Sequence, residues 1–150
     1  MDGNRLLSHL KQQPVSRHTV DVGLRIEAVI VAELTRRGIA VLQPCSFNHR
    51  YDLVLDLQGQ FVRAQCKTGR LRDGVVRFNT VSTRCNARRA IRRDYRDDVD
   101  VFLVHCPDTG GTYAVPVEEA AAGVASLRVR PTDNGQASGV RWARDYELPA

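Results

Sequence analysis

The chain has 150 residues, of which 43% are hydrophobic and 26% charged, a size and mix that fit one globular domain with its own core and exclude a disordered chain. No apolar run reaches the about 18 residues of a membrane span, and the opening MDGNRLLSHLKQQP has no apolar core of signal-peptide length, so a cytoplasmic protein is expected. Lysine and arginine total 22 against 17 acidic residues, a net charge of +5 that suits a polyanionic partner.

Residues 1–17 are polar, broken by Pro14, and read as a short arm or a loose first helix. Residues 19–37 carry helical spacing, with Thr19 or Asp21 as cap and Gly38 as stop. Residues 39–42 form a short strand before Pro44. Residues 51–57 and 61–67 both read as strands and are joined at Gln58–Gly59. A third short strand covers 75–78, and a basic segment of weak periodicity covers 84–96. An apolar strand over 101–106 turns at 108–111 into a partner over 112–116. A short helix over 117–122 and an edge element over 140–146 complete the reading. This order predicts a mixed α/β (α+β) fold, a central mixed sheet flanked by helices, in a single domain over 1–150.

Cys45, Cys66, Cys85 and Cys106 have neither the spacing nor the histidine partners of a zinc site. Cys66 and Cys106 lie in apolar runs and read as small core residues. His49 stands near Asp52 and reads as a loop or phosphate contact, and Ser82 has no evident base partner.

On a helical wheel Arg25, Glu33, Arg36 and Arg37 gather on one side. Gly23, Leu24, Ile30, Val31 and Leu34 fill the other, with Glu27 in the middle of that apolar arc. A carboxylate there either meets a buried cation, reaches out at the helix edge, or is aimed at a metal or water. Gly23, one turn earlier, leaves room for another backbone. In the hairpin, the apolar sets Leu53, Leu55, Leu57 and Val62, Ala64, Cys66 face one core in a register such as Leu57 opposite Gln60 and Asp52 opposite Gln65, which a two-residue turn at Gln58–Gly59 gives. That register gathers Asp52, Gln65 and Lys67 on one face. Such a group suits Mg²⁺, which binds through few carboxylates. A hairpin with one wet face would carry the same residue types.

Gly23-x-x-x-Glu27, then Tyr51-Asp52-Leu53-Val54, then Gln65-Cys66-Lys67-Thr68 resembles the PD-(D/E)XK nuclease superfamily, and within it the homing endonucleases associated with group I introns. Asp100-Val101-Phe102 and Tyr113-Ala114-Val115-Pro116 resemble later strands of that branch, so the likeness spans roughly residues 19–118. It implies a restriction-endonuclease-like core and Mg²⁺-dependent hydrolysis of DNA phosphodiesters, with Mn²⁺ able to substitute. It implies Asp52 as central metal ligand, Gln65 at the second acidic position, Lys67 as motif lysine, and Glu27 as the helix carboxylate that holds metal-bound water. The Cys66 carbonyl would complete the shell. Two departures stand out: Gln65 replaces an acid, removing one negative charge, and Tyr51 replaces the motif proline. A structure-specific nuclease such as a Holliday-junction resolvase, or a DNA-binding module with a degenerate site, shares this signature.

Between residues 84 and 96, Arg84, Arg88, Arg89, Arg92, Arg93 and Arg96 face a single acid, Asp94. As a helix, Arg88, Arg89, Arg92 and Arg93 would form one cationic stripe for double-stranded DNA, extended by Arg70, Arg72 and Arg77. A solvated face is the alternative. One catalytic centre per chain implies a homodimer or homotetramer for cutting both strands.

Overall fold

The computed structural model describes residue 8 and residues 17–149 without 47–48, 87–88, 133–134 and 136–137, and the side chains of 84–86 and 89–90 are not described. The expected arm over 1–17 therefore lies outside the described residues, save for its eighth and seventeenth positions.

Helix α1 (Thr19–Arg36) buries Ile26, Ile30 and Leu34, a stripe with one residue per turn. His18 holds the cap position without a side-chain capping bond. Thr19 is already inside the helix, so neither it nor Asp21 is the cap; Asp21 lies in the first turn, toward the positive end of the helix dipole. Gly38 ends the helix at φ 72°. The amides of Gly38 and Ile39 return to the carbonyls of Thr35 and Leu34, and Ile39 packs into the cluster that holds Leu34.

Among the described residues ten strands follow: β1 (Ala40–Leu42), β2 (Leu53–Leu57), β3 (Gln60–Thr68), β4 (Arg70–Arg72), β5 (Val75–Asn79), β6 (Val81–Asn86), β7 (Arg89–Asp94), β8 (Val101–Cys106), β9 (Gly111–Pro116) and β10 (Val124–Arg128). The central sheet runs β1-β2-β3-β8-β9. The β3–β8 pair is parallel and the others antiparallel, so the sheet is mixed. The β2–β3 hairpin has the expected register, from Leu57 opposite Gln60 to Leu53 opposite Ala64. Its two-residue turn places Gln58 at φ 56° and Gly59 at φ 90°, the left-handed geometry that matches strand twist.

Each face of the central sheet is covered differently. Leu53, Leu55, Ala64 and Leu103 pack against the buried stripe of α1. Phe102, Val104, Cys106, Tyr113 and Val115 pack with Val76, Phe78, Ala125 and Leu127 of a second sheet, ordered β10-β5-β4. β8 is thus buried on both faces, which accounts for the apolar run Val101–Val104 at its start.

Two expectations change here. The basic segment over 84–96 is not a helix but most of the β6–β7 pair, running from Val81 opposite Asp94 to Asn86 opposite Arg89. Arginines at helical spacing had no apolar stripe beneath them, and a helix draws most of its stability from burying one. Among the described residues α1 is accordingly the one α-helix flanking the sheet, and strands cover the other face. Residues 117–122 give only a 3₁₀ turn, Val117–Glu119. Residues 140–146 contain a second, Ala143–Asp145, and a bridge from Trp142 to Arg128; just past them, Glu147 bridges to Tyr113.

Candidate active site

The β2–β3 register carries Asp52 to the position opposite Gln65, and the Asp52 amide donates to the Ala64 carbonyl at 2.9 Å. Oδ2 of Asp52 accepts two N–H groups, from Gln65 Nε2 at 2.6 Å and from the Cys66 backbone at 2.8 Å. Burial pushes the Asp52 carboxyl up, opposed by the Cys66 amide, the Lys67 charge and the Gln65 amide. Lys67, two residues along β3, shares the face of Gln65. Its ammonium lies 4.3 Å from the centre of the Tyr95 ring and 5.9 Å from that of Phe102. Burial pulls its pKa down to about 8, against the attraction of Asp52 and with the help of Arg50.

Glu27 approaches Asp52 from α1. It sits beside the buried stripe rather than in its middle, because the stripe centres on Ile26 and Ile30 and leaves Leu24 62% exposed. Its partner is the Gln43 amide, which donates to Oε1 at 3.0 Å. Burial raises the Glu27 carboxyl, and the charge of Asp52 raises it further. Glu27, Gln43, Ser46, His49, Tyr51 and Asp52 line one open cleft. His49 Nε2 is 2.9 Å from Ser46 Oγ. Among the described residues beyond its own helical turn, none comes within 4 Å of where a Cβ at Gly23 would stand.

Arg50, Tyr95 and Asp98, like Gln43 and Ser46 of the cleft, were not singled out from the sequence. Arg50 places its guanidinium 4.2 Å from the centre of the Tyr95 ring. It donates to Asp98 Oδ2 at 2.8 Å and Ser82 Oγ at 2.6 Å. Tyr95 is 6% exposed and meets Phe102 edge-on, with centroids 5.8 Å apart. The available signals were weak: an arginine just before Tyr51-Asp52, and an aromatic inside a basic run followed by Asp97 and Asp98.

A family model described as PD-(D/E)XK endonuclease matches residues 17–149. The chain belongs to that family. The solved structure of a bacterial homing endonuclease, I-Ssp6803I, is similar, with a TM-score of 0.70 and 23% identity over 87% of this chain and 88% of that one. At that identity the likeness speaks to the fold. No curated protein matches in sequence.

The arginines of this endonuclease fall into two groups. Arg92 and Arg93 are consecutive in β7 and point to opposite faces of the strand. Arg93 pairs with Asp98 at 3.0 Å. A helix would have put these arginines on one stripe; the strand sends Arg92 and Arg93 to different faces. Arg88 lies outside the described residues, as do the side chains of Arg84 and Arg89. Arg70, Arg72 and Arg77 are exposed. Arg70 and Arg77 stand directly opposite each other across β4 and β5, and Arg72 shares their face. Cys106 is fully buried, as expected of a core residue. Cys66 is partly buried, and burial pushes its thiol far up, which leaves it inert at neutral pH. No described helix is long and apolar enough to cross a membrane.

Proposed function

We propose that this chain is a Mg²⁺-dependent, site-specific endonuclease of double-stranded DNA that works in the cytoplasm. The observation that carries the reading is the meeting of the Asp52 carboxylate, the Glu27 carboxylate and the Lys67 ammonium at the open end of the β2–β3 hairpin. Burial raises both carboxyls, and Asp52 raises Glu27 further; a cation between them would relieve that cost. Among the described residues no three His, Cys, Asp or Glu side chains converge. Two carboxylates with backbone and amide oxygens fit a hard ion that keeps several waters.

Asp52, Glu27 and the Cys66 carbonyl would hold the ion, with the amide oxygen of Gln65 at the second acidic position. Bound Mg²⁺ supplies Lewis acidity and lowers the pKa of water. The chain's own residues do the rest. Gln65 and the Cys66 amide fix one oxygen of Asp52 by hydrogen bonds, which orients the other. Lys67 donates to the scissile phosphate as negative charge develops there. Glu27, on a separate element, positions water beside Asp52. Arg70, Arg72, Arg77, Arg92, Arg93 and the arginines at 84, 88 and 89 supply phosphate contacts along the duplex. Cutting both strands calls for two copies, in a homodimer or homotetramer.

The test is Mg²⁺-dependent cleavage of linear duplex and of a four-way junction, by wild type, Asp52→Asn and Lys67→Ala. Wild type should cut the duplex, with Mn²⁺ replacing Mg²⁺. Both variants should lose cleavage by about a hundredfold or more while still binding DNA. Variants that cut at the wild-type rate would remove the site. Preference for the junction would assign a resolvase. Binding without any nicking would favour the degenerate module, the reading that Gln65 supports by weakening the charge of the site.

A further inference from the structure

Among the described residues, the Lys67 ammonium makes no hydrogen bond and no ion pair. What holds it is aromatic: the Tyr95 ring at 4.3 Å, with Phe102 at 5.9 Å. A lysine carries four rotatable carbons and a compact charge, so without a wall its head samples many positions. The negative face of an aromatic ring attracts an ammonium at this range. The ring is itself braced. It is 6% exposed and meets Phe102 at an interplanar angle of 89°. Arg50 stands 4.2 Å from its centre, tied to Asp98 at 2.8 Å.

We propose that Tyr95 is a positioning residue for the nuclease lysine: its ring, braced by Phe102 and the Arg50–Asp98 pair, sets where the Lys67 ammonium stands relative to Asp52. The proposal rests on the reading of Asp52 and Lys67 as the nuclease centre. It predicts that the ring matters most, since the hydroxyl's partner is Ser82 and not Lys67. Tyr95→Phe keeps the π face. Tyr95→Leu and Tyr95→Met remove it, and methionine fills most of the volume, which guards against a variant that fails to fold.

The chain has only two lysines, Lys11 and Lys67, so ¹³C-lysine labelling gives two sets of side-chain signals, assigned by the loss of one in Lys67→Ala. In wild type and Tyr95→Phe, the ε-CH₂ protons of Lys67 should show an upfield ring-current shift. That shift should shrink toward the value of a lysine in a free peptide in Tyr95→Leu and Tyr95→Met. This readout needs neither metal nor DNA. In single-turnover cleavage, Tyr95→Leu and Tyr95→Met should lose about tenfold to a hundredfold in rate at saturating DNA, the range expected for a misplaced catalytic group. Their DNA affinity should stay near wild type, and Tyr95→Phe should cut normally. A Lys67 signal without an upfield shift in wild type would overturn the proposal. So would folded Leu and Met variants that cut at the wild-type rate while Lys67→Ala is inactive. If Lys67→Ala itself cuts normally, the nuclease-centre reading falls, and this proposal with it.

Discussion

Oδ2 of Asp52 receives N–H groups from both Gln65 and the Cys66 backbone, so the amide at position 65 works as a donor where an acid would repel. Gln65→Glu therefore has two opposed effects. Without metal it replaces a 2.6 Å hydrogen bond with two facing carboxylates, which should cost about 1–3 kcal/mol of stability. With Mg²⁺ it adds a charged ligand. Thermal unfolding of this variant should thus be lowered in chelator and restored by Mg²⁺, by a larger margin than in wild type. Cleavage should persist at equal or lower Mg²⁺. Complete loss of cleavage with the fold intact would mean that the N–H donor is indispensable. A second residue-scale prediction concerns Asp100, which accepts the Arg63 amide at 2.7 Å and its guanidinium at 2.8 Å. These bonds, the side-chain bond foremost, hold its carboxyl below the ordinary 3.8. A carboxyl depressed on folding adds stability above that ordinary value and loses it as pH falls through the folded one. The difference in melting temperature between wild type and Asp100→Asn should therefore be present at pH 6 and narrow below about pH 4.

At the level of elements, β3 ends in a tight passage. A Cβ at Gly69 would lie 2.8 Å from Val76 Cγ1, 3.1 Å from Cys106 Cβ and 3.1 Å from Val104 Cγ1. All three neighbours are stiff and buried, so Gly69→Ala should cost about 1–3 kcal/mol, measured by denaturant unfolding, and should disturb Lys67 two residues away. On the outer face of β4 and β5, Arg70 opposes Arg77. Like charges placed opposite one another destabilise a sheet unless an anion lies between them. Arg77→Thr should raise the melting temperature slightly while weakening DNA binding and flattening the salt dependence by about 0.9 in log K per log[salt] for each phosphate that is no longer neutralised. Lower stability with unchanged DNA affinity would show that this face does not meet DNA. The hairpin register was legible because alternation on both strands and a Gln-Gly turn admitted one pairing. The β6–β7 pair was not, because arginines repeat at i, i+4 in a sequence whose strand character rests on Val81, Thr83 and Ile91 alone. Glu27 was legible as the helix carboxylate, but not its place on the helix. Leu24 counts as apolar on a wheel yet stands in solvent, whereas Ile26, outside that arc, faces the sheet.

For the whole molecule, the two-copy reading has a direct check. Mixing wild type with Asp52→Asn should convert supercoiled plasmid to nicked circles in proportion to mixed assemblies; linear product alone would mean that each copy cuts both strands by itself. The site's dependence on Tyr95 escaped the sequence because it links residues 67 and 95 across a crossover of four strands, and no periodicity reports such a contact. That crossover joins β3 to its parallel neighbour β8, and the topology orders events in time. The β2–β3 hairpin closes over two residues and can bring Asp52 and Gln65 together early. The Lys67 strand finds β8 only after residues 69–100 have been made and folded back, a slow long-range step. During synthesis the carboxylate half of the site therefore exists before the lysine has its aromatic wall. On the proposed reading of the site, a half-made chain emerging from a ribosome would be harmless to DNA, because cutting would wait for the last strands to arrive.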